Sequence, residues 1–296
     1  MKTLIAGAKG QLGHDLMAAG RDAGWEAAGI DLPECDITNA DSLRQAFQDG
    51  APYTVVINAA AYTAVDQAES DKDTAFAVNC EAVGHLASLC REYDTPLIHV
   101  STDYVFDGTQ TRPYRSSDPV SPLGVYGQSK AAGEDILRTR LQQHVIIRTS
   151  WLYGEHGNNF VKTMLHHGMQ RDELQVVDDQ VGCPTYAYDL AAAIVHVAQS
   201  IARGNCSWGT YHYCNEGAVT WYAFARKIFA LAQLYEQFKV QEIIPILSHH
   251  YPTPAPRPNF SVLDCTTIEE VFGVSRRNWD DALREMLAQL YAQPAG

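Results

Sequence analysis

The sequence has little of what a membrane protein, a nucleic-acid-binding protein or a zinc protein requires. It contains no apolar run of 18 or more residues, and its first residues, MKTLIAGAKG, lack the long apolar region of a signal peptide. Its formal net charge of −13 repels nucleic acid and anionic membrane surfaces. HExxH and CxxC patterns are absent, which argues against a zinc site. We therefore expect a cytoplasmic protein that binds neither nucleic acid nor a membrane.

A disulfide framework is not expected either, because the seven cysteines stand at scattered spacings. We expect them to be reduced and buried as small apolar side chains. They are Cys35, Cys80, Cys90, Cys183, Cys206, Cys214 and Cys265. A chain of 296 residues, of which 46% are hydrophobic and 19% charged, can form one large globular domain or two of ordinary size.

The N-terminal stretch predicts a strand, a glycine-rich turn and a helix. Residues 3–6 are apolar, and Gly7, Gly10 and Gly13 follow before an amphipathic segment. Such glycines let the backbone pass close to a pyrophosphate, while the N terminus of the helix offers free N–H groups. The spacing is GxxGxxG, because Ala8 holds the position of the usual second glycine. Taken alone, the stretch fits a dinucleotide site and a plain loop equally well.

Asp31 ends a second predicted strand, about eighteen residues after Gly13. A carboxylate at this point fits a hydrogen bond to the adenosine ribose and repels an added 2′-phosphate. No Arg or Lys follows closely, so the sequence favours NADH over NADPH. Asp36 and Ile37 begin a third segment that either lines the adenine pocket or forms a surface turn.

Further strands and helices alternate along the chain and predict an α/β fold with a doubly wound parallel sheet. Residues 53–58 and 96–100 read as buried strands, and residues 74–93 between them have helical apolar spacing. Ligands of such sheets bind outside the carboxyl ends of the strands. The stretch 101–103, Ser-Thr-Asp, follows one of these ends and is therefore a candidate site.

Tyr126 and Lys130 stand four residues apart, so on a helix they share one face. An ammonium beside a phenol lowers the pKa of the phenol and prepares it for acid–base catalysis. A packed ring and a solvated charge at this spacing are common in helices, and only the rest of the chain favours the catalytic interpretation.

The C-terminal half predicts a smaller substrate-binding region. We expect residues 1–150 to form the dinucleotide-binding domain, with 184–203 returning to it as a helix, and 151–183 and 204–296 to form the second region. Five prolines within residues 245–258 exclude a regular helix there and predict an extended, fairly rigid loop.

Several longer motifs carry a family resemblance. In chain order they are GQLG, NAAAYTAVDQAES, STDYVFDG, YGQSK, RTSWLYG, GCPTYA and YPTPAPRPNFSVLD. The chain resembles the dTDP-4-dehydrorhamnose reductases, which are extended short-chain dehydrogenase/reductases, and the resemblance runs nearly end to end. It implies a Rossmann-type fold and reduction of the C4 ketone of dTDP-4-dehydro-6-deoxy-L-mannose to dTDP-L-rhamnose, with NADH preferred or NADPH.

The resemblance also implies roles for individual residues. Tyr126 would donate the proton, Lys130 would bond the nicotinamide ribose, and Thr102 would orient the carbonyl or the phenol. The sugar would lie near Thr102, Asp103 and Trp151, although Trp151 also fits a core position. The cofactor would contact Gly10, Gln11, Leu12, Asp31, Asp36, Ile37, Ala61, Tyr62, Thr63, Tyr126 and Lys130.

Arg257 is a further candidate, suggested by its own setting in the chain. An Arg held between prolines suits bidentate phosphate binding, and a solvated loop Arg is the competing interpretation.

One departure from the family pattern concerns a metal. Some relatives bind Mg²⁺ at a dimer contact through glutamates, one of them shortly after the CPT motif. This chain has Tyr188 at the aligned position, and the neighbouring Asp189 would project about 100° away on a helix. We therefore expect no Mg²⁺ at this position, while a homodimer stays open. Two other functions also stay open: a sugar-nucleotide epimerase or dehydratase of the same fold, and a non-catalytic regulatory subunit.

Overall fold

A computed structural model describes residues 1–292, and within them six parallel strands form the main sheet. The strands of the described chain are β1 (Lys2–Ala6), β2 (Glu26–Ile30), β3 (Val55–Asn58), β4 (Leu97–Thr102), β5 (His144–Thr149), β6 (Leu152–Tyr153), β7 (Glu173–Val177), β8 (Val181–Gly182), β9 (Thr185–Tyr186), β10 (Gly209–His212), β11 (Val219–Thr220) and β12 (Glu242–Ile246). The main sheet has the order β10-β5-β4-β3-β1-β2. The other strands pair in twos, as β11 with β8, β12 with β7 and β6 with β9.

Helices connect the strands and cover both faces of the main sheet. The α-helices are α1 (Gln11–Asp22), α2 (Ala40–Gly50), α3 (Val65–Ala68), α4 (Lys72–Phe76), α5 (Ala82–Glu92), α6 (Val125–Arg140), α7 (Phe160–Gln170), α8 (Ala187–Ala202), α9 (Trp221–Ala232), α10 (Thr266–Phe272) and α11 (Trp279–Ala292). A π-helical turn, Ala77–Glu81, joins α4 to α5, and short 3₁₀ turns lie at Asp103–Val105 and Ser248–His250.

The central strands are apolar at successive positions because both faces of the sheet are buried. In β1, Ile5 belongs to the core on one face, while Leu4 and Ala6 belong to the core on the other. Alternation of side chains along a strand produces this division. The predicted α/β fold with a doubly wound parallel sheet is confirmed.

The order of the main sheet reverses at β1, which lies between β2 on one side and β3 on the other. The loops that leave β1 and β3 therefore turn to opposite faces and leave a crevice at the carboxyl ends of these strands. Such a switch point is where open parallel sheets bind their ligands.

Helix α8 packs against α1 through buried apolar side chains such as Leu16 and Ile194. The division of the chain into domains, with 184–203 returning to the first, stays a prediction. A separate core in the C-terminal region is formed by residues such as Phe224 and Leu287. One assignment was wrong: Gly209–His212 was expected in the substrate-binding region but pairs with β5 as an edge strand of the main sheet.

Three other local expectations need correction. The helix predicted over residues 74–93 is interrupted by the π turn around Asn79. The stretch 245–258 has no α-helix, but Pro245 lies in β12 and a 3₁₀ turn follows it, so the stretch is not extended throughout. All seven cysteines are free, yet Cys206 is exposed and Cys80 is only half-buried.

No helix within residues 1–292 is long and apolar enough to span a bilayer.

Candidate active site

A cavity of about 700 Å³ opens at the carboxyl ends of the strands. Fifteen of the seventeen residues predicted for the site line it: Gly7, Gly10, Gln11, Leu12, Asp31, Asp36, Ile37, Ala61, Tyr62, Thr63, Thr102, Asp103, Tyr126, Lys130 and Trp151. The two others, Gly13 and Arg257, lie outside its lining. The glycine turn and the acid after β2 therefore share one space with the Tyr–Lys pair of α6.

The glycine turn is shaped by close backbone packing. Gly7 has a φ of 79°, and a Cβ built there would lie 2.5 Å from the backbone nitrogen of Ala60. A Cβ at Gly13 would lie only 2.0 Å from the carbonyl oxygen of Gly7. The absence of a side chain at Gly13 thus lets α1 pack directly against the turn, and Gly13 does not line the cavity.

The first turn of α1 is suited to a pyrophosphate. Its N-cap is Gly10, and within the described structure no side chain caps this helix end. Gln11 and Leu12 line the cavity immediately after it. Free N–H groups and the positive end of the helix dipole together favour an anion at this point.

Asp31 lies at the far end of the same cavity, where its carboxylate accepts hydrogen bonds from the backbone nitrogens of Lys9 and Leu32, each at 2.8 Å. The side chain of Lys9 crosses this loop, and its Nζ donates to the carbonyl oxygen of Leu32 at 3.0 Å and to Glu34. The residues after Asp31 in the sequence include no nearby cation, but Lys9, which stands before it, brings one to this loop. A cationic side chain in the glycine turn was the available signal.

Asp36 lies in a surface turn and also lines the cavity, so its part in an adenine pocket stays a prediction. Its Oδ1 accepts hydrogen bonds from the backbone nitrogen and the hydroxyl of Thr38, at 2.9 and 2.7 Å, which is a turn on the surface. Asp36 and the buried Ile37 also line the cavity beside Asp31.

Tyr126 is held in the first turn of α6, which begins at Val125. The backbone nitrogen of Val125 donates to Glu69 Oε1 at 2.8 Å, and the ring of Tyr126 meets the ring of Tyr104 edge to face at 5.5 Å. Burial in the cleft raises the pKa of Tyr126 to about 12, and the neighbouring Thr102 hydroxyl offsets part of the rise. The phenol is therefore protonated at neutral pH.

Lys130 is fully buried one turn further along α6, and its Nζ donates to the carbonyl oxygen of Val100 at 2.8 Å. Burial lowers the pKa of Lys130 to about 8. The sequence predicted that the pKa of Tyr126 is lowered toward neutrality, and that prediction is wrong: burial of the phenol raises its pKa. The Lys130 amine is directed toward the strand.

Thr102 and Asp103 end β4 beside Tyr126. The Thr102 hydroxyl donates to Asp103 Oδ1 at 3.1 Å and accepts from the backbone nitrogen of Tyr104 at 3.2 Å. Burial raises the pKa of Asp103 to about 6. The hydroxyl is thus fixed in direction by two neighbours at the edge of the cavity.

Trp151 stacks on Trp221 of α9, with ring centroids 3.4 Å apart and an angle of 7° between the planes. Its φ of 47° is unusual for a side chain of this size. A Cβ at Gly182 would collide with the Trp151 indole at 2.4 Å. The ring is held between α9 and β8, packs against the C-terminal core and also lines the cavity. A role of Trp151 in sugar binding stays a prediction.

Arg257 makes a bidentate contact, but with a carboxylate of this chain. Its two terminal nitrogens lie 3.1 and 2.8 Å from the two carboxylate oxygens of Asp66. The pKa of Asp66 is lowered by this guanidinium. A role in phosphate binding stays a prediction for Arg257, since Asp66 occupies the guanidinium in this structure.

Comparison with known proteins identifies the family. The model of the RmlD substrate binding domain matches residues 1–292. The dTDP-4-dehydrorhamnose reductase of Aggregatibacter actinomycetemcomitans is 44% identical over 295 residues, covering 97% of this chain and 98% of that protein. The chain belongs to this family of reductases.

Solved structures agree with this assignment, and the family predicted from the motifs is confirmed. A dTDP-4-dehydrorhamnose reductase from Clostridium acetobutylicum gives a TM-score of 0.91 at 38% identity, covering 98% of this chain and 99% of that chain. A dTDP-4-dehydrorhamnose reductase from Bacillus anthracis, in complex with NADP, gives 0.90 at 35% identity, covering 97% and 99%.

One residue that supports the site of this reductase-family chain was not singled out from the sequence. Asn79, in the π turn, accepts from the backbone nitrogen of Tyr62 at 2.9 Å and donates to its carbonyl oxygen at 3.1 Å. Its amide also donates to Ser129 of α6 at 3.0 Å. Asn79 thus ties the loop of Tyr62 to the helix of Tyr126. A polar residue on an apolar helix face was the available signal.

The region aligned with the metal contact of some reductases contains an ion pair. Asp189 bonds Arg277 at 2.8 Å and the side chain of Asn215 at 2.6 Å, while Tyr188 is exposed. Among residues 1–292, no group of three or more His, Cys, Asp or Glu side chains could hold a metal ion.

Proposed function

We propose that this protein reduces the C4 ketone of dTDP-4-dehydro-6-deoxy-L-mannose to dTDP-L-rhamnose, with NADH or NADPH as the hydride donor. One observation carries the proposal: a single cavity joins the glycine turn and Asp31 to Thr102, Tyr126 and Lys130. The dTDP-4-dehydrorhamnose reductase of A. actinomycetemcomitans, alike over nearly the whole chain, supports the same reaction.

The first turn of α1 would hold the cofactor pyrophosphate, and Asp31 would accept hydrogen bonds from the adenosine ribose. When bound, the reduced nicotinamide supplies the hydride. We propose a preference for NADH because the Asp31 carboxylate repels a 2′-phosphate. The preference is moderated by Lys9, whose ammonium lies within the same loop and would attract that phosphate.

Tyr126 would donate a proton to the alkoxide that forms when the ketone accepts hydride. The pKa of about 12 keeps Tyr126 protonated and able to donate at neutral pH. Thr102 donates its single hydroxyl proton to Asp103 in this structure, so it would accept from the phenol as it stands, or would turn away from Asp103 to donate to the substrate oxygen. Trp151 and Asp103 would contact the sugar. Lys130 would bond the nicotinamide ribose.

The test measures nicotinamide absorbance while 4-keto sugar nucleotides with different bases and ring stereochemistry are added. We expect one reduced cofactor to be consumed for each dTDP-4-dehydro-6-deoxy-L-mannose, with dTDP-L-rhamnose as product. A tightly held cofactor that is not consumed while the sugar is converted would instead identify an epimerase or dehydratase. No turnover of any sugar nucleotide, together with recovery of a stable partner enzyme, would identify a regulatory subunit.

A further inference from the structure

A buried histidine, His99 of β4, lies directly against the amine of Lys130, and the proposed reaction gives it no role. His99 has no exposed surface, and its Nε2 is 3.4 Å from Lys130 Nζ. Its Nδ1 is 3.1 Å from the amide nitrogen of Asn58 in β3. Asn58, His99 and Lys130 thus form a buried chain that ends at the proposed site.

The direction of each hydrogen bond in this chain is determined by its far end. The backbone N–H of Ala60 donates to Asn58 Oδ1 at 3.1 Å, and an N–H can only donate, so the amide oxygen must face it. The amide nitrogen of Asn58 therefore faces His99 and donates to Nδ1, which must be unprotonated. A neutral imidazole carries its one proton on the other nitrogen. His99 consequently directs an Nε2–H at Lys130.

The Nε2–H of His99 interacts differently with the charged and the neutral form of Lys130. An ammonium has three donors and no acceptor, so the N–H groups of a charged Lys130 face the N–H of His99 without a hydrogen bond. A neutral Lys130 amine can accept from His99 while it still donates to Val100. We propose that Asn58 and His99 are positioning residues that favour the uncharged form of Lys130, so that this amine exchanges its proton near neutral pH. The catalytic consequence rests on the proposed reductase function.

The surrounding charges do not remove this effect. Glu134, one turn beyond Lys130, favours the ammonium, but Arg148 bonds its carboxylate at 2.8 and 2.6 Å. Burial lowers the pKa of Lys130 to about 8 and holds the pKa of His99 well below its ordinary value. The charged or titratable groups that act on the pair are His144 of β5, which lowers the pKa of His99, and Glu134 of α6, which raises that of Lys130. Arg138 and Arg148 in turn bond Glu134.

A proton carrier acts best when its pKa lies near the working pH. Lys130 is charged below its pKa of about 8 and loses its proton above it. A charged Lys130 would stabilise the phenolate that remains after Tyr126 donates its proton. The rate of ketone reduction should therefore decline as the pH rises through about 8.

Two substitutions are designed to replace the N–H donor that faces Lys130 with an acceptor. In His99→Gln, the amide can turn its carbonyl oxygen toward Lys130. In Asn58→Asp, one carboxylate oxygen accepts a hydrogen bond from the Ala60 N–H, and the other accepts one from His99 Nδ1, which then carries the proton. Nε2 of His99 is left as an acceptor that faces Lys130. Both changes favour the ammonium, so the pKa of Lys130 should rise by about 1 pH unit.

The pKa of Lys130 is measured by an NMR titration of protein labelled at the lysine side chains, with Lys130→Gln to assign the resonance. The kcat profile for ketone reduction is measured in parallel, and its basic midpoint should move upward in both variants. His196→Gln is the matched control, because His196 on α8 bonds the carbonyl oxygen of Phe272 and is remote in the chain from this pair. It should leave the resonance and the profile unchanged.

An unchanged or lower pKa of Lys130 in the variants overturns the proposal, and if one variant does not fold the other still decides. The NMR result does not depend on the substrate. A raised pKa together with an absence of ketone reduction in the parent protein would therefore support the inference about Lys130 and contradict the proposed function.

Discussion

At the scale of single residues, the proposed chemistry depends on a phenol that stays protonated until it is needed. Tyr126 is partly open to the cavity, and burial of its hydroxyl raises its pKa to about 12. The amine of Lys130 is directed toward Val100, and the pKa of Tyr126 is raised on balance. In the reducing direction this suits the reaction, because a proton donor must carry its proton when the hydride arrives.

Tyr126→Phe removes this hydroxyl and almost no volume. We expect kcat for ketone reduction to fall by about 10²–10⁴-fold, the usual contribution of general acid catalysis, while the Kd for NADH changes little. Stopped-flow kinetics and fluorescence titration of the cofactor measure the two quantities. Tyr235→Phe, at an exposed ring outside the cavity lining, is the control. Near-normal turnover in the Tyr126 variant would rule out the assigned proton donor.

Asp31 and Lys9 act in opposite senses on the choice of cofactor. Asp31→Ala removes the charge that repels a 2′-phosphate, so the ratio of kcat/KM for NADH to that for NADPH should fall roughly tenfold, and Lys9→Ala should raise it. Asp22→Ala, at an exposed position of α1, should leave the ratio unchanged. If the ratio in the Asp31 variant equals that of the parent, Asp31 does not contact the ribose.

At the scale of elements, two helices determine the geometry of the site. The carbonyl oxygen of Gly7, in the turn before α1, lies so close to α1 that only glycine fits at residue 13. Helix α6 carries Tyr126 and Lys130 on one face and is anchored further along by Glu134, which bonds Ser101 of β4 at 2.6 Å and Arg148 of β5.

Gly13→Ala should weaken cofactor binding by at least about tenfold, since the new methyl group must push α1 away from the carbonyl oxygen of Gly7. The Kd for NADH and for NADPH, measured by calorimetry, tests this. Gly20→Ala in the same helix is the matched control, because its nearest neighbour is a ring carbon of Trp25 at 3.1 Å, which can yield. Equal affinities in the two variants would contradict the packing role of Gly13.

Glu134→Gln breaks a buried ion pair and leaves Arg148 without its partner. The free energy of unfolding should fall by about 3–5 kcal/mol, as measured by urea denaturation. Because Arg148 and Ser101 hold the pKa of Glu134 below its ordinary value of 4.5, this stability is present above that pH and is lost as the pH falls. The difference between the variant and the parent should therefore shrink on acidification. Glu270→Gln, at an exposed residue of α10, should change stability little.

At the scale of the whole molecule, one cavity is lined by residues from segments far apart in the chain, from Gly7 after β1 to Asn158 after β6. A ligand that fills it contacts the N-terminal sheet, α6 and the segment after β5 together. Cofactor binding should consequently stabilise the whole fold against unfolding, and its effect should not be confined to a single loop.

NADH or NADPH at about 100 times its Kd should stabilise the folded protein by about 2.7 kcal/mol and raise Tm accordingly. Differential scanning calorimetry with and without cofactor measures the shift. Gly13→Ala at the same cofactor concentration should show a smaller shift. A Tm that does not respond to cofactor in the parent protein would contradict binding in this cavity.

The sequence by itself determined the fold class, because alternating apolar strands and helices have only a few ways to bury both faces of a sheet. It also indicated most of the cavity lining, since parallel strands deliver the residues after their carboxyl ends to one edge. The motifs identified the family for the same reason that they form the site: their residues must meet in a fixed geometry.

Only the tertiary structure decided what each candidate touches. Arg257 contacts Asp66, and the amine of Lys130 contacts Val100 and His99. These partners, 191, 30 and 31 residues apart, become neighbours only after folding. The edge position of Gly209–His212 likewise depended on pairing with β5, which no local pattern encodes. Burial raised the pKa of Tyr126, which the sequence predicted to be lowered, since desolvation is a property of the assembled cleft.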